Sequence, residues 1–291
     1  MKALLEATPY LRLYQGKTFV IKVGGEAFLA RESTFNVLRQ VSLLAQLGIK
    51  IVLVHGGGPQ ATETGKRLGH ASQFIEGRRV TDSGMLEAMV FALNGTVRAE
   101  ILAVCRQIGL TAVGVSGMDA GLVTAKKRPA KKGADFGMVG DIQKVDASVL
   151  NTLLAAGIMP VVSPICADAD GQALNVNADT VAAELAVALW ADKLVSMTGA
   201  PGILRDPADP SSLVSYTDLA GLQDLEASGV LAAGMNPKAA SIRRAIEGGV
   251  ERVHVIGHAP ADALLTEVFT NEGSGTMIVR SVESLEGKGG G

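Results

Sequence analysis

Thr18-Phe19-Val20-Ile21-Lys22-Val23-Gly24-Gly25 and Ile49-Lys50-Ile51-Val52-Leu53-Val54-His55-Gly56-Gly57-Gly58-Pro59 are the stretches on which the fold turns. Each is an apolar, β-branched run, Thr18–Val23 and Ile49–Val54, that leads into a glycine cluster, and Pro59 opens a helical pattern directly after the second. A glycine turn between a strand end and a helix start exposes backbone N–H groups to anything that approaches closely. The helix dipole adds about half a positive charge there, so such turns suit phosphate or carboxylate oxygens. A glycine at a strand end also serves simply to turn the chain, and on the glycines alone both readings stand. Two such turns from neighbouring strands, with Lys22 just ahead of the first, outline a floor for phosphoryl transfer.

Outward from these turns, strands and helices alternate along almost the whole chain, the pattern of a mainly parallel sheet covered on both faces. Further strand-like runs stand at Thr111–Val115, Ile158–Val162, Lys193–Met197, Arg252–Ile256 and Thr276–Val279. Helical patterns cover Thr34–Leu47, closed by Gly48, then Ser83–Ile108, Ala178–Ala191 and Pro237–Glu247. Gln73–Val80 and Leu122–Lys144 are polar and glycine-punctuated, and read as hairpins. The basic run Lys126-Lys127-Arg128-Pro129-Ala130-Lys131-Lys132 reads as a solvated hairpin tip. The expected organisation is an N-terminal helix over 1–16, a lobe over 17–174, a second lobe over 175–283 with a soft boundary near Asn175, and a frayed tail over 284–291.

With 291 residues, 47% hydrophobic and 19% charged, the chain has ample material for a compact core. Aromatic residues are 4% and the net charge is −2, so neither base stacking nor a global pull toward nucleic acid or anionic membranes is expected. An anionic ligand must be held locally. Cys105 and Cys166 lie about sixty residues apart without a C-x-x-C pattern and read as free buried thiols of a reducing compartment. With no apolar leader and no stretch near about twenty uncharged apolar residues, a cytosolic location is expected. His55, His70, His254 and His258 show no metal spacing, and no metal ligands are expected.

Five motifs then carry a specific resemblance. Lys22-Val23-Gly24-Gly25, His55-Gly56-Gly57-Gly58-Pro59-Gln60, Gly77-Arg78-Arg79-Val80-Thr81-Asp82, Asn175-Val176-Asn177-Ala178-Asp179 and Gly234-Met235-Asn236-Pro237-Lys238 stand in that order. The series resembles that of the N-acetyl-L-glutamate kinases of the amino acid kinase family, from about residue 4 to 281. The resemblance implies an α/β fold, a three-layer αβα sandwich with a mainly parallel central sheet. It also implies phosphorylation of the side-chain carboxylate of N-acetyl-L-glutamate by ATP with Mg2+ carried on the nucleotide, the second step of arginine biosynthesis.

Phosphoryl transfer to a carboxylate gathers negative oxygens around one phosphorus, so positioning and charge neutralisation dominate. No Walker A pattern is present. The resemblance implies instead that Lys22 and Lys238 stabilise the transition state, with Asp179 organising both. Either lysine alone would read as a surface lysine, and Asp179 alone as a favourable acid in a first helical turn. Gly24 and Gly25 are assigned to the nucleotide phosphates, and Gly57, Gly58, Arg79 and Asn175 to the substrate. A guanidinium fork suits the substrate's α-carboxylate, whereas Arg78 reads as a solvated neighbour. Asn177 reads as the cap of the following helix. His55 is expected to pack, and no general base is needed for an ionised acceptor.

Two positions depart from the pattern. Gly199, in Met197-Thr198-Gly199-Ala200-Pro201-Gly202, stands where relatives carry an acid, and Glu26 stands where a small or amide residue is usual. The first implies weaker nucleotide binding, which Gly199→Asp would reverse; the second puts a negative charge near the phosphate path. Leu4–Tyr10 and Phe269–Met277 resemble arginine-sensitive members. They imply a homo-oligomer, dimer or hexamer, linked by the N-terminal helix, with L-arginine as inhibitor at Tyr10, Glu272 and Gly275. The same helix folding back on its own subunit is the bland reading. The rival function is a catalytically weak arginine sensor like the kinase-like domain of acetylglutamate synthase.

Overall fold

The computed structural model describes residues 2–75, 77–130, 134–229 and 236–282. The tail expected at 284–291, Gly234-Met235 of the fifth motif and Lys131-Lys132 of the basic run lie outside these, as do the side chains of Leu4 and Leu5. In chain order the elements are α1 (Lys2–Tyr14), β1 (Thr18–Val23), α2 (Arg31–Gln46), β2 (Lys50–His55), α3 (Gly58–Arg67), β3 (Gln73–Ile75), β4 (Arg78–Val80) and α4 (Ser83–Val90). A π-helical segment, Phe91–Val97, leads into α5 (Arg98–Gln107), followed by β5 (Ala112–Ser116), β6 (Val123–Lys127), β7 (Gly140–Val145), α6 (Ser148–Ala155), β8 (Met159–Ser163), β9 (Ile165–Ala167) and β10 (Ala173–Asn175). The rest are α7 (Ala178–Ala188), β11 (Lys193–Thr198), β12 (Tyr216–Asp218), α8 (Leu219–Ala227), α9 (Asn236–Glu247), β13 (Arg252–Gly257), α10 (Ala263–Phe269) and β14 (Thr276–Val279).

Among the described residues the central sheet has eight strands in the order β12-β14-β13-β11-β1-β2-β8-β5. Every pairing in it is parallel except β13 with β14. The chain leaves β1 toward β2 and leaves β11 toward β13, so the winding reverses between β1 and β11. Ligands of open α/β sheets settle outside the strands' carboxyl ends at such a reversal.

Alternation along each central strand builds two cores. Phe19, Ile21 and Val23 of β1, with Val195 and Met197 of β11, pack with α2, α5 and α10 on one side. Val20, Leu194 and Val54 pack with α6, α7, α8 and α9 on the other. Side chains two apart share a face, so Lys22 belongs to the face of Val20, and Ser196 to the face of Leu194. That face is roofed by α7 and α9, the helices that carry Asp179 and Lys238.

The expected hairpins form, β3 against β4 and β6 against β7. The helix expected over Ser83–Ile108 runs to Gln107 with the π-helical segment inside it. By length and composition this helix would pass for a membrane span, yet its apolar positions pack into two of the cores, Met85, Met89 and Leu93 in one and Val97, Ile101 and Val104 in another. The helix expected to run to Ala191 stops at Ala188, because Trp190 takes a left-handed conformation, φ 51°, after the last turn. Cys166 lies within the short strand β9, and both thiols are buried and free.

Candidate active site

The two glycine turns touch. A Cβ at Gly25 would lie 2.6 Å from the Cα of Gly57, closer than any real contact, so only glycine lets β1 and β2 deliver their turns to one spot. The N–H of Gly24 is used on Met197 O at 3.1 Å and that of Gly56 on Val23 O at 2.8 Å, which pins both turns to the strand ends. The α3 helix starts at Gly58 with Pro59 in its first turn and no side-chain cap, so its N-terminal N–H groups face the cleft uncapped. A cleft of about 380 Å³ opens here, lined by Lys22, both glycine turns, Arg79, Asn175 and Asp179.

At its floor, Lys22 Nζ lies 3.0 Å and Lys238 Nζ 2.8 Å from the same oxygen, Asp179 Oδ1. Both lysines are buried, at 8% and 6% exposure. Burial would raise the Asp179 carboxyl, but Lys22 and Lys238 outweigh it and hold the group well below the usual carboxylate range. Lys238 is pushed below its ordinary value by burial and by Lys22, with Asp179 opposing. Asn177 accepts from the N–H groups of Asp179 and Thr180 and so caps α7 as expected, fixing the first turn on which Asp179 stands.

On the opposite wall, the Arg79 guanidinium bonds Gly58 O at 3.0 Å, Thr62 Oγ1 at 2.8 Å and the Ser72 hydroxyl, and lies 4.7 Å from the Phe74 ring centre. All of these partners are neutral. Burial lowers its pKa, and among the described residues it has no carboxylate partner. Asn175 donates from Nδ2 to Thr81 Oγ1 at 3.0 Å, which sets its amide in the cleft wall. Arg78 is exposed, at the cleft's rim. His55 is fully buried and pushed down to about 4 by burial, so it packs as a neutral ring.

Two lining residues, Arg128 and Phe74, and one beneath the floor, Ser196, escaped the sequence reading. Arg128 belongs to the basic run expected to be solvated; Lys126 and Lys127 are exposed, but Arg128 turns back to pair with Asp141 and lines the cleft. Phe74 stands on the hairpin above Arg79. Ser196 stands in an apolar strand and bonds Lys238. Only Arg128 carried a signal in one dimension, its charge.

The residues expected to serve a second ligand also meet. Tyr10, Glu272 and Gly275 line a separate cavity of about 310 Å³ between α1 and the C-terminal elements, with Lys193, Arg252, His254 and Glu267. Tyr10 hydrogen-bonds Asn271, and Tyr14 packs against Phe19 and Phe269, so the last turns of α1 lie on their own subunit. Leu13 of the same helix remains 54% exposed.

Residues 17–257 match the amino acid kinase family. Acetylglutamate kinase of Myxococcus xanthus is 43% identical over 96% of this chain and 94% of its own length. That of Moorella thermoacetica is 44% identical over 95% and 96%. Among solved structures, N-acetylglutamate synthase from Neisseria gonorrhoeae, complexed with coenzyme A and N-acetyl-glutamate, superposes with a TM-score of 0.85 at 30% identity, covering 97% of this chain. The chain spans 63% of that synthase. Carbamate kinase from Giardia lamblia bound to AMP-PNP shares the fold, with a TM-score of 0.68 at 18% identity over 91% of this chain and 99% of its own.

Proposed function

The chain belongs to the amino acid kinase family, and we propose from that premise that its cleft transfers the terminal phosphoryl group of ATP to the side-chain carboxylate of N-acetyl-L-glutamate, the second step of arginine biosynthesis. The observation that carries this reading is the pair of buried lysines, one from β1 and one from α9, that converge on one carboxylate oxygen beside two abutting glycine turns.

The acceptor carboxylate is ionised near neutral pH, so no side chain need remove a proton. What the site supplies is positive charge held in place before the reaction. Asp179 keeps two ammonium groups within reach of one point, and their charges meet the oxygens that crowd there as the phosphoryl group moves. The uncapped start of α3, with Gly57 and Gly58, offers N–H donors on the acceptor side. Arg79, whose present partners are all neutral, offers a guanidinium for the α-carboxylate, and Asn175 an oriented amide. The turn at Gly24 and Gly25 faces the nucleotide phosphates. Mg2+ would add charge neutralisation on those phosphates. With Lys22, Asp179 and Lys238 all assembled, the reading as a non-catalytic sensor is not favoured.

A coupled assay tests this. N-acetylglutamate should exceed unacetylated glutamate in kcat/KM by at least about 10²-fold, because an ammonium replaces the neutral amide the site is built to bond. Equal values would overturn the assignment.

The second cavity supports L-arginine as inhibitor. Lys193 and Arg252 suit its α-carboxylate, and Glu272 its guanidinium. The exposed Leu13 face of α1 supports a homo-oligomer, dimer or hexamer, joined through this helix. Two buried free thiols suit a reducing, cytosolic setting. Deleting residues 1–14 should leave a dimer that ignores arginine. A full-length protein that sediments as a dimer and ignores arginine would remove the regulatory reading and leave the kinase reading intact.

A further inference from the structure

Ser196 is a polar residue inside an apolar strand. Its neighbours Leu194, Val195 and Met197 are core residues, and Ser196 itself is 5% exposed. A buried hydroxyl is costly unless it is hydrogen-bonded, and its partners here are both charged groups of the phosphoryl-transfer cluster. Ser196 Oγ accepts from Lys238 Nζ at 2.9 Å and donates to Asp179 Oδ1 at 3.3 Å. Its Cα pairs in register with that of Lys22, the cluster's other lysine, across the sheet's reversal point.

We propose that Ser196 is a positioning residue, whose hydroxyl holds the Lys238 ammonium on the sheet side of the cleft and ties it to Asp179. An ammonium has three donors and no acceptor. Asp179 takes one from Lys238, Ser196 takes a second, and one remains for a phosphoryl oxygen. Asp179 Oδ1 already serves Lys22, Lys238 and the serine. Without the hydroxyl, two lysines compete for that carboxylate alone, and the long Lys238 side chain has one anchor in place of two. A serine is the smallest residue that both accepts from a cation and donates to an anion. This inference rests on the kinase reading and concerns how the lysine is aimed.

Ser196→Ala tests it in the full-length enzyme with ATP and N-acetylglutamate. We expect kcat to fall about tenfold, the size of one lost hydrogen bond to a charged group, with KM for N-acetylglutamate within about twofold. The alkaline limb of kcat should move to lower pH. The charged groups facing Lys238 are Lys22 on β1 and Asp179 on α7, and burial already disfavours the ammonium, so losing an acceptor disfavours it further. In a Lys238→Ala background the same change should cost nothing more, because its effect passes through Lys238. Unchanged kcat, an unmoved alkaline limb, or a full additional loss without Lys238 would each overturn the proposal. A wild type inactive on N-acetylglutamate would instead overturn the kinase reading itself.

Discussion

Strand β11 carries Lys193 at its first residue and Ser196 near its end, on opposite faces, and a buried lysine cluster surrounds each. Beside Ser196, two lysines touch one carboxylate oxygen directly. At the other end, Lys193 Nζ meets His254 Nε2 at 3.0 Å, and the imidazole stands between it and Glu267, whose Oε1 is 2.6 Å from Nδ1. Tyr14 of α1 lies 5.1 Å from the same ammonium. Burial and Arg252 push Lys193 down to about 7, and burial and Lys193 push His254 down to about 4. Glu267 is held low despite burial, by His254 and the N–H groups of Ser274 and Gly275. Direct contact with a carboxylate fixes a charged cluster for chemistry. Burial beside Arg252, with no carboxylate in direct contact, leaves Lys193 pushed down to about 7, which suits a site that responds to its surroundings.

The largest expected effect breaks the comparison at the catalytic end. Lys22→Ala or Lys238→Ala should lower kcat by about 10²–10³, the size seen when one preorganised transition-state donor is removed. The KM for N-acetylglutamate should change far less. Unchanged steady-state kcat in both variants would leave the two clusters equivalent, both structural. Arg79 sets the next scale. Arg79→Lys keeps the charge and loses the fork, so KM for N-acetylglutamate should rise about tenfold, with kcat nearly constant. A selective fall in kcat would move Arg79 from binding into the chemical step.

The catalytic end was legible in the sequence through the two glycine turns and the five motifs of the resemblance, since either lysine alone would have read as a surface residue. Strands β1 and β14 fall at the expected residues, and Lys22, Arg79, Asn175 and Asp179 meet in one cleft, with Lys238 on its floor. The end around Lys193 was legible only in part. Tyr10, Glu272 and Gly275 were found through motifs, while Lys193, His254 and Glu267 come from three elements, β11, β13 and α10, with no spacing that unites them. Short strands such as β9, β10 and β12, of three residues each, are too brief for a period of two to register. Ser196 was invisible because one hydroxyl in an apolar run reveals nothing until its partners fold around it.

The third prediction sharpens the comparison through pH. The folded pKa of Lys193, about 7, lies below its unfolded value, so folding expels its proton between about 7 and 10.4. On the sign of linkage, this group's contribution makes the protein more stable as pH rises through that window. For ligand binding the charged form matters, and it prevails below about 7. On the proposed inhibition by arginine, the concentration giving half-inhibition should therefore rise with pH from 6 to 8, by at most about tenfold per unit. A flat profile would show that Lys193 does not meet the effector's carboxylate.

The smallest effect concerns Gly199 and Glu26, which the structure brings side by side. Gly199 and Glu26 were two separate departures, a missing acid and a surplus one, but they occupy the same space. A Cβ at Gly199 would lie 2.8 Å from Glu26 Oε2, so the carboxylate of Glu26 fills the room that a side chain at 199 would use. Gly199→Asp would therefore not restore an absent charge; it would set a second carboxylate against the first and force Glu26 aside. Two exposed like charges at close range interact by less than about 1 kcal/mol, so ATP binding should weaken about two- to fivefold where the sequence alone implies tightening. The double variant Glu26→Ala/Gly199→Asp moves the acid from one loop to the other and should bind ATP within about twofold of the wild type. Titration calorimetry reads both. Tighter binding by Gly199→Asp alone would mean that Glu26 swings clear of the crevice and that the missing acid is a true loss.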